Sequence, residues 1–281
     1  MVQDRLRMGK KRVRGGLSAG LALLIAACYP ARPHGGTAAA PTIVSLNPCL
    51  DAIIVEVAPS QVLALSHYSR DPGSSSIPAK VAARYAVTGG AAEEVIALDP
   101  DLVLASSFLP QPTRSALERA GLKVAMFGSP TTIADSIAQV RQVAALAGNK
   151  DAGERLVADI SRAAAPATGA YPVIATLLWQ PGEIVPGEAT VVAEMLRAKG
   201  FANHAAAMGL SQADFVPLET VLADPPDLLL VAGNSVGQRH PLLAGFSSMR
   251  VEPLEPRLLF CGGPSIIDLA QRLDAIRERG R

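Results

Sequence analysis

The sequence predicts an α/β protein of two lobes, each built on a parallel sheet, with one long helix joining them. Three observations predict it. Short β-rich runs alternate with helical stretches from Thr42 onward. A long helical stretch stands in mid-chain. A thirteen-residue pattern occurs once on either side of that stretch.

The elements follow in order. Thr42–Leu46 reads as a strand stopped by Asn47-Pro48, and Pro48 leads into a helix over Cys49–Val57. Val62–Leu65 is a second apolar run, followed by a Pro/Gly/Ser loop at 71–76. Leu102–Ala105 and Val124–Phe127 read as buried strands around a helix at Thr113–Ala120. Strands alternating with helices imply a parallel sheet covered on both faces. Thr132–Ala147 carries apolar residues at helical spacing, and Gly148-Asn149 breaks it. Asp151–Ala165 resumes as a helix of about 22 Å, long enough to run between lobes. The pattern then restarts: strands at Val173–Leu178, Leu228–Val231 and Arg257–Phe260, helices at Thr190–Lys199 and Ser265–Arg279. Ser265 is placed to cap the last helix, with Asp268 at its third position.

The repeat is specific. Glu93–Ala105 aligns without gaps on Glu219–Val231, with seven identities: Glu, Val, Ala, Pro, Asp and two Leu. Reuse of helix–turn–strand units explains matched Leu and Val. It does not explain Glu, Pro and Asp in register.

The first 27 residues stand apart. Six basic side chains and one acid precede an apolar stretch from Gly15 to Ala27, too short to span a bilayer but suited to a secretory signal. Ile25-Ala26-Ala27-Cys28 resembles a lipobox, with Cys28 as the lipid-attachment residue; cleavage near Ala38–Ala40 is the rival. Residues 28–41 are rich in Pro, Gly and Ala and read as a tether. Without residues 1–27, the charge balance is 20 basic against 24 acidic residues. Such a body has no basic stripe, so no nucleic-acid partner is expected. The organisation expected is a signal peptide (1–27), a tether (28–41), a lobe (42–148), a backbone helix (149–168) and a second lobe (169–281).

Over residues 42–281 the sequence resembles the helical-backbone (class III) substrate-binding proteins that serve ABC importers of cobalamin, ferric siderophores and haem. The carriers are Ile43-Val44-Ser45-Leu46-Asn47-Pro48, the run Ala64 to Pro72, and the Glu-x-Val-x-Ala motifs at 93–103 and 219–227. The resemblance implies two Rossmann-like lobes with a ligand in the cleft between them. It implies that the protein is exported to the periplasm or cell envelope, as a monomer. Its partners would be a membrane permease and its ATPase, with the membrane contacted only through a lipid on Cys28. It also implies that Glu93 and Glu219, one per lobe, dock on basic residues of the permease.

Open α/β sheets bind ligands outside the carboxyl ends of their strands. The candidate ligand residues are therefore Asn47, Pro48, Tyr68, Arg70, Trp179 and Gly262. The flat rings of Tyr68 and Trp179 suit a metal-chelate such as cobalamin or a ferric siderophore; core packing is the other reading of Trp179. Haem or a free metal is the alternative cargo. His34, His67, His204 and His240 lack metal-site spacing, so no resident metal or cofactor is expected. Cys49 and Cys261 fall in different lobes by the resemblance, and whether they pair, stay free or touch ligand is left open. No nucleophile elbow, P-loop or dinucleotide-binding fingerprint is present, so no catalytic residue is assigned. An exported enzyme is the competing class.

Overall fold

The computed structural model describes residues 40–168, 172–245 and 248–279. The leader, nearly all of the tether and Cys28 lie outside the described residues.

The first lobe runs β1 (Ile43–Ser45), α1 (Pro48–Val57), β2 (Val62–Ser66), α2 (Ala79–Ala82), β3 (Ala86–Thr88), α3 (Ala92–Leu98), β4 (Leu102–Ser106), α4 (Gln111–Arg119), β5 (Val124–Phe127) and α5 (Ile133–Leu146). The connecting helix α6 is Lys150–Ala163. The second lobe runs β6 (Ile174–Trp179), β7 (Ile184–Val185), α7 (Val191–Ala198), β8 (Phe201–Asn203), α8 (His204–Ala207), β9 (Asp214–Phe215), α9 (Leu218–Ala223), β10 (Leu228–Ala232), α10 (Pro241–Gly245), β11 (Arg250–Leu254) and α11 (Ser265–Glu278).

Two parallel sheets result. Their orders are β3-β2-β1-β4-β5 and β11-β10-β6-β8, and β7 with β9 forms a small antiparallel sheet. Central strands β4 and β10 are buried on both faces, which is why their sequences are unbroken apolar runs. The two halves superpose in logic: β2-β1-β4-β5 in one is β8-β6-β10-β11 in the other.

The repeat has a physical cause. Asp101, just before β4, accepts a hydrogen bond from the Thr42 N–H at the start of β1, 2.8 Å away. Asp227, just before β10, accepts one from the Ala175 N–H in β6, also at 2.8 Å. Each Asp ties the entry of one central strand to its neighbour in the sheet, so the residue is fixed in register in both copies.

Two expectations are corrected. No strand forms at 257–260; Pro256–Leu259 is a 3-10 turn, and the strand lies upstream at β11. Glu252 and Pro253 interrupt the apolar pattern there, and Pro is tolerated because β11 is a sheet edge. Ser265 does not cap α11. Its hydroxyl donates to the carbonyls of Phe260 and Gly262, while Asp268 pairs with Arg257.

Helix α6 joins the lobes through one continuous core. Its Leu156, Val157 and Ile160 are buried with Ile53 of the first lobe and Met195, Leu228 and Leu273 of the second. Gly153 lets α6 approach α5 closely: a Cβ there would stand 2.4 Å from that of Ala144.

Candidate functional site

The carboxyl ends of both sheets open onto the junction between the lobes. Among the described residues, two cavities with walls from both lobes include residues just beyond strand ends. The larger, about 680 Å³, is walled by Pro72 and Gly73 beyond β2, by Gly233 and Asn234 beyond β10, and by Glu255 and Arg272. The smaller, about 250 Å³, has Thr131 beyond β5 on one side and Gln180, Thr190 and Gly262 on the other. None of the residues lining the smaller cavity is charged. Each cavity thus draws walls from both lobes, as expected of a cleft at facing strand ends.

A disulfide crosses the junction. Cys49, at the start of α1, is bonded to Cys261, between β11 and α11, with their Cα atoms 5.2 Å apart and a sequence separation of 212. The segment after it is pressed onto the first lobe. Gly263 N–H donates to the Ser136 hydroxyl of α5 at 2.6 Å. A Cβ on Gly262 would meet that hydroxyl at 2.9 Å, and one on Gly263 would meet Ile53 at 3.3 Å. Both glycines have positive φ, so only glycine fits the contact without strain. The pairing left open by the sequence is therefore made, and it staples the lobes at the cleft.

The candidate residues fall into three groups. Tyr68 stands 49% exposed on a 3-10 turn just beyond β2, its ring 4.0 Å from that of His67. Phe108, beyond β4, is 80% exposed. Gly262 lines the smaller cavity. Tyr68 does not itself line either cavity, but its turn leads directly into Pro72 and Gly73, which do.

Asn47, Pro48 and Arg70 have structural partners. Asn47 caps α1, its side-chain oxygen accepting from the N–H groups of Cys49 and Leu50, and Pro48 fills the first helical position. Arg70 donates to the Tyr85 carbonyl at 2.7 Å, bracing its turn against β3.

Trp179 is a correction. It is 0% exposed and packs with Leu177, Leu229 and Val231 beneath β9 and α9. Its indole N–H donates to the Val216 carbonyl at 2.9 Å. Trp179 is still within β6, so its side chain shares a face with Leu177, two residues back, and that face is covered. Leu178, on the opposite face, is buried as well, so any residue within this part of β6 is covered. Phe215 and Val236, exposed on the second lobe, carried no signal in the sequence.

Charge at the first-lobe rim is locally satisfied. Thr88 and the Gly89 N–H hydrogen-bond Glu94 and hold its carboxyl below the usual carboxylate range. Ser74 and the Gly73 N–H do the same for Asp71. Among the described residues, no group of three or more His, Cys, Asp or Glu side chains is placed to hold a metal ion. Glu93 and Glu219 occupy the first turns of α3 and α9 and are exposed.

Comparison with known proteins bears on this geometry. Residues 43–253 match the model of a family described as periplasmic binding protein. Among solved structures, the periplasmic haem-binding protein HutB of Vibrio cholerae has a TM-score of 0.70 at 19% identity, covering 85% of this chain and 99% of that one. The periplasmic haem-binding protein RhuT of Roseiflexus sp. RS-1 gives 0.66 at 24%, covering 84% and 99%. The periplasmic vitamin B12-binding protein BtuF of Vibrio cholerae gives 0.63 at 17%, covering 85% and 98%. At these identities the likeness concerns the fold. A comparison with curated proteins returned no match.

Proposed function

Because the chain belongs to the periplasmic binding protein family, we propose that it is the substrate-binding component of an ABC importer and captures a metal-chelate in the cleft between its lobes. The observation that carries the ligand class is the pair of exposed aromatics, Tyr68 and Phe108, at strand exits of the first lobe. A flat or macrocyclic ligand covers such rings, and each covered ring contributes by burial and stacking. Cobalamin or a ferric siderophore fits this surface without any metal ligand from the protein.

Haem is the second reading, and Tyr68 favours it. Its half-exposed phenol is a known type of axial ligand for haem iron, and two of the structural neighbours are named haem-binding proteins.

Delivery completes the proposal. Glu93 and Glu219 are exposed at equivalent points of the repeat, and they dock the loaded protein on basic residues of a permease. Export by the leader, and a lipid on Cys28, keep it at the membrane surface.

The test is titration of the mature protein with cyanocobalamin, a ferric siderophore and haemin. One of them binds 1:1, and Tyr68→Ala weakens that binding by about 1–3 kcal/mol, the scale of an aromatic anchor. An unchanged affinity removes Tyr68 from the site. Replacing Glu93 and Glu219 together by Ala leaves folding and affinity intact and abolishes uptake in cells; lost ligand binding in that variant refutes the docking role.

A further inference from the structure

Beneath the turn that carries Tyr68 lies a carboxyl group that ligand capture does not explain. Asp51, in α1, is 0% exposed. Its Oδ2 accepts from the Ser66 N–H at 3.0 Å and from the Ser69 hydroxyl at 2.5 Å. Its Oδ1 is buried and makes no hydrogen bond of good geometry. Burial pushes the carboxyl up to about 7, against the opposing pull of Ser45, Ser69 and Ser66. A buried polar group without full partners costs stability, and an apolar residue of like volume is cheaper at such a position. The position therefore calls for a reason other than core packing.

The reason is in what Asp51 holds. Ser66 is the last residue of β2, and Ser69 is the inward residue of the turn that follows. One carboxyl oxygen grips both points, three residues apart. Gripping both sets the rotation of the turn: with Ser69 directed in, Tyr68 and His67 are directed out. On the far side, Arg70 is tied to the Tyr85 carbonyl. Asp71 closes the next turn through the Gly73 N–H and the Ser74 hydroxyl. Of these three anchors only Asp51 is buried, and only Asp51 reaches the turn from another element of the core.

We propose that Asp51 is a positioning residue for ligand capture: from within α1 it holds the Ser66–Ser69 turn, so that Tyr68 is presented to the ligand in a fixed attitude. The inference rests on the reading of Tyr68 as a ligand contact. It adds that the presenting turn is preorganised before the ligand arrives. Preorganisation favours affinity because the ordering cost is met on folding rather than on binding. An Asn at position 51 preserves the acceptor, since its amide oxygen receives the same two donors. An Ala removes it and strands the Ser66 N–H.

Two measurements on the mature protein test this. The first needs no ligand: amide hydrogen exchange of residues 66–70 and of α11, in wild type, Asp51→Asn, Asp51→Ala and Ser69→Ala. The expected result is at least tenfold faster exchange in the turn for Asp51→Ala and Ser69→Ala, near-wild-type exchange for Asp51→Asn, and unchanged α11 in every variant. Wild-type turn protection in Ser69→Ala, or equal loss in the Asn and Ala variants, overturns the proposal. Ser69→Ala keeps it falsifiable if Asp51→Ala fails to fold. The second measurement is the affinity for haemin and cyanocobalamin in the same variants and with Tyr68→Ala. Weakening of about tenfold in Ser69→Ala, absent when Tyr68 is already Ala, is the expected coupling. A loosened turn in Ser69→Ala with binding undiminished in Ser69→Ala and Tyr68→Ala alike overturns the ligand role of Tyr68, leaving the mechanical role of Asp51 standing.

Discussion

Two aromatic residues stand at strand ends facing the junction, and they meet opposite fates. Tyr68 lies two residues beyond the end of β2, in a turn whose inward position is taken by Ser69, and it is half exposed. Trp179 is the last residue of β6 itself, follows the facing of Leu177, and is sealed beneath Val216. A ring inside a strand inherits the strand's alternation; a ring one turn later is free of it. The same contrast separates the two lobes at the cleft. The first offers exposed aromatic rings, Tyr68 on its braced turn and Phe108 beyond β4; the second offers uncharged walls at the smaller cavity and the Glu255 and Arg272 charges at the larger.

The largest effect should come from breaking the staple that holds the two surfaces together. In the chain-entropy view, closing a loop of 212 residues restricts the unfolded chain by about 5 kcal/mol. Cys49→Ser with Cys261→Ser should lower the denaturation midpoint accordingly, as should a thiol reductant on the wild type. The shared core along α6 and the Gly263–Ser136 bond remain, so the protein should still fold. An unchanged midpoint would mean that the core alone fixes the lobes and the disulfide adds nothing.

The next effect belongs to the first lobe alone. Asp51 has its folded-state pKa raised from 3.8 to about 7. The buried neutral form is thus favoured, and its stabilisation is complete below about pH 4. As pH rises toward 7 the unfolded chain gives up the proton first, and this stabilisation is lost; above 7 the loss stays constant. A shift of this size corresponds to about 4 kcal/mol. The elements packed around it, α2, α5, α6 and the turn, carry acidic and basic residues, and none of these contributes to the shift, which has only burial and serines as causes. Asp51→Asn should therefore gain stability relative to wild type between pH 4 and 7, followed by urea denaturation at each pH. A difference that is flat with pH would mean that Asp51 is ionised in the folded protein.

Much of this architecture was legible in the sequence. The strands β1, β4, β5 and β10 are apolar runs bounded by turn signals, and buried parallel strands need nothing more. The repeat located α3 and α9, and Asp101 and Asp227 show why it is in register. β11 was not legible because Glu252 and Pro253 break its pattern, although a sheet edge accepts both. The exposure of Tyr68 was legible from its setting among Ser, His and Arg. Trp179 was misplaced because β6 was ended at Leu178, whereas it runs through Trp179 and is covered on both faces. Asp51 was not legible at all, since one acid within a helix looks like a solvated face until the turn above it is seen.

The burial contrast between the aromatics predicts a clean separation of readouts. Trp179→Phe removes the indole N–H, leaves the Val216 carbonyl without its donor, and shrinks a fully buried side chain. It should cost about 2–3 kcal/mol of stability while leaving ligand affinity near wild type. Tyr68→Ala should do the reverse. Intrinsic Trp fluorescence should accordingly shift little on ligand addition; a large quench with unaltered far-UV circular dichroism would return Trp179 to the cleft.

The smallest effect addresses whether the two lobes are equivalent where the repeat says they are. Asp101 and Asp227 are both exposed, and each accepts a backbone N–H at the entry of a neighbouring strand at the same distance. Asp101 also accepts from the Thr42 hydroxyl at 2.7 Å, and the Asp101 N–H donates to the Thr42 hydroxyl oxygen at 3.1 Å. The Thr42 hydroxyl thus adds two bonds to the first-lobe tie, and Ala175 has no hydroxyl to match it. Charge-assisted bonds at an exposed site contribute about 1 kcal/mol. Asp227→Ala should therefore cost about 1 kcal/mol by urea denaturation, and Asp101→Ala somewhat more. Thr42→Val with Asp101→Ala should add little to Asp101→Ala alone, because both remove the same cluster. Equal costs for the two single variants would show that only the shared backbone tie matters, and that the Thr42 hydroxyl is incidental to what the repeat preserves.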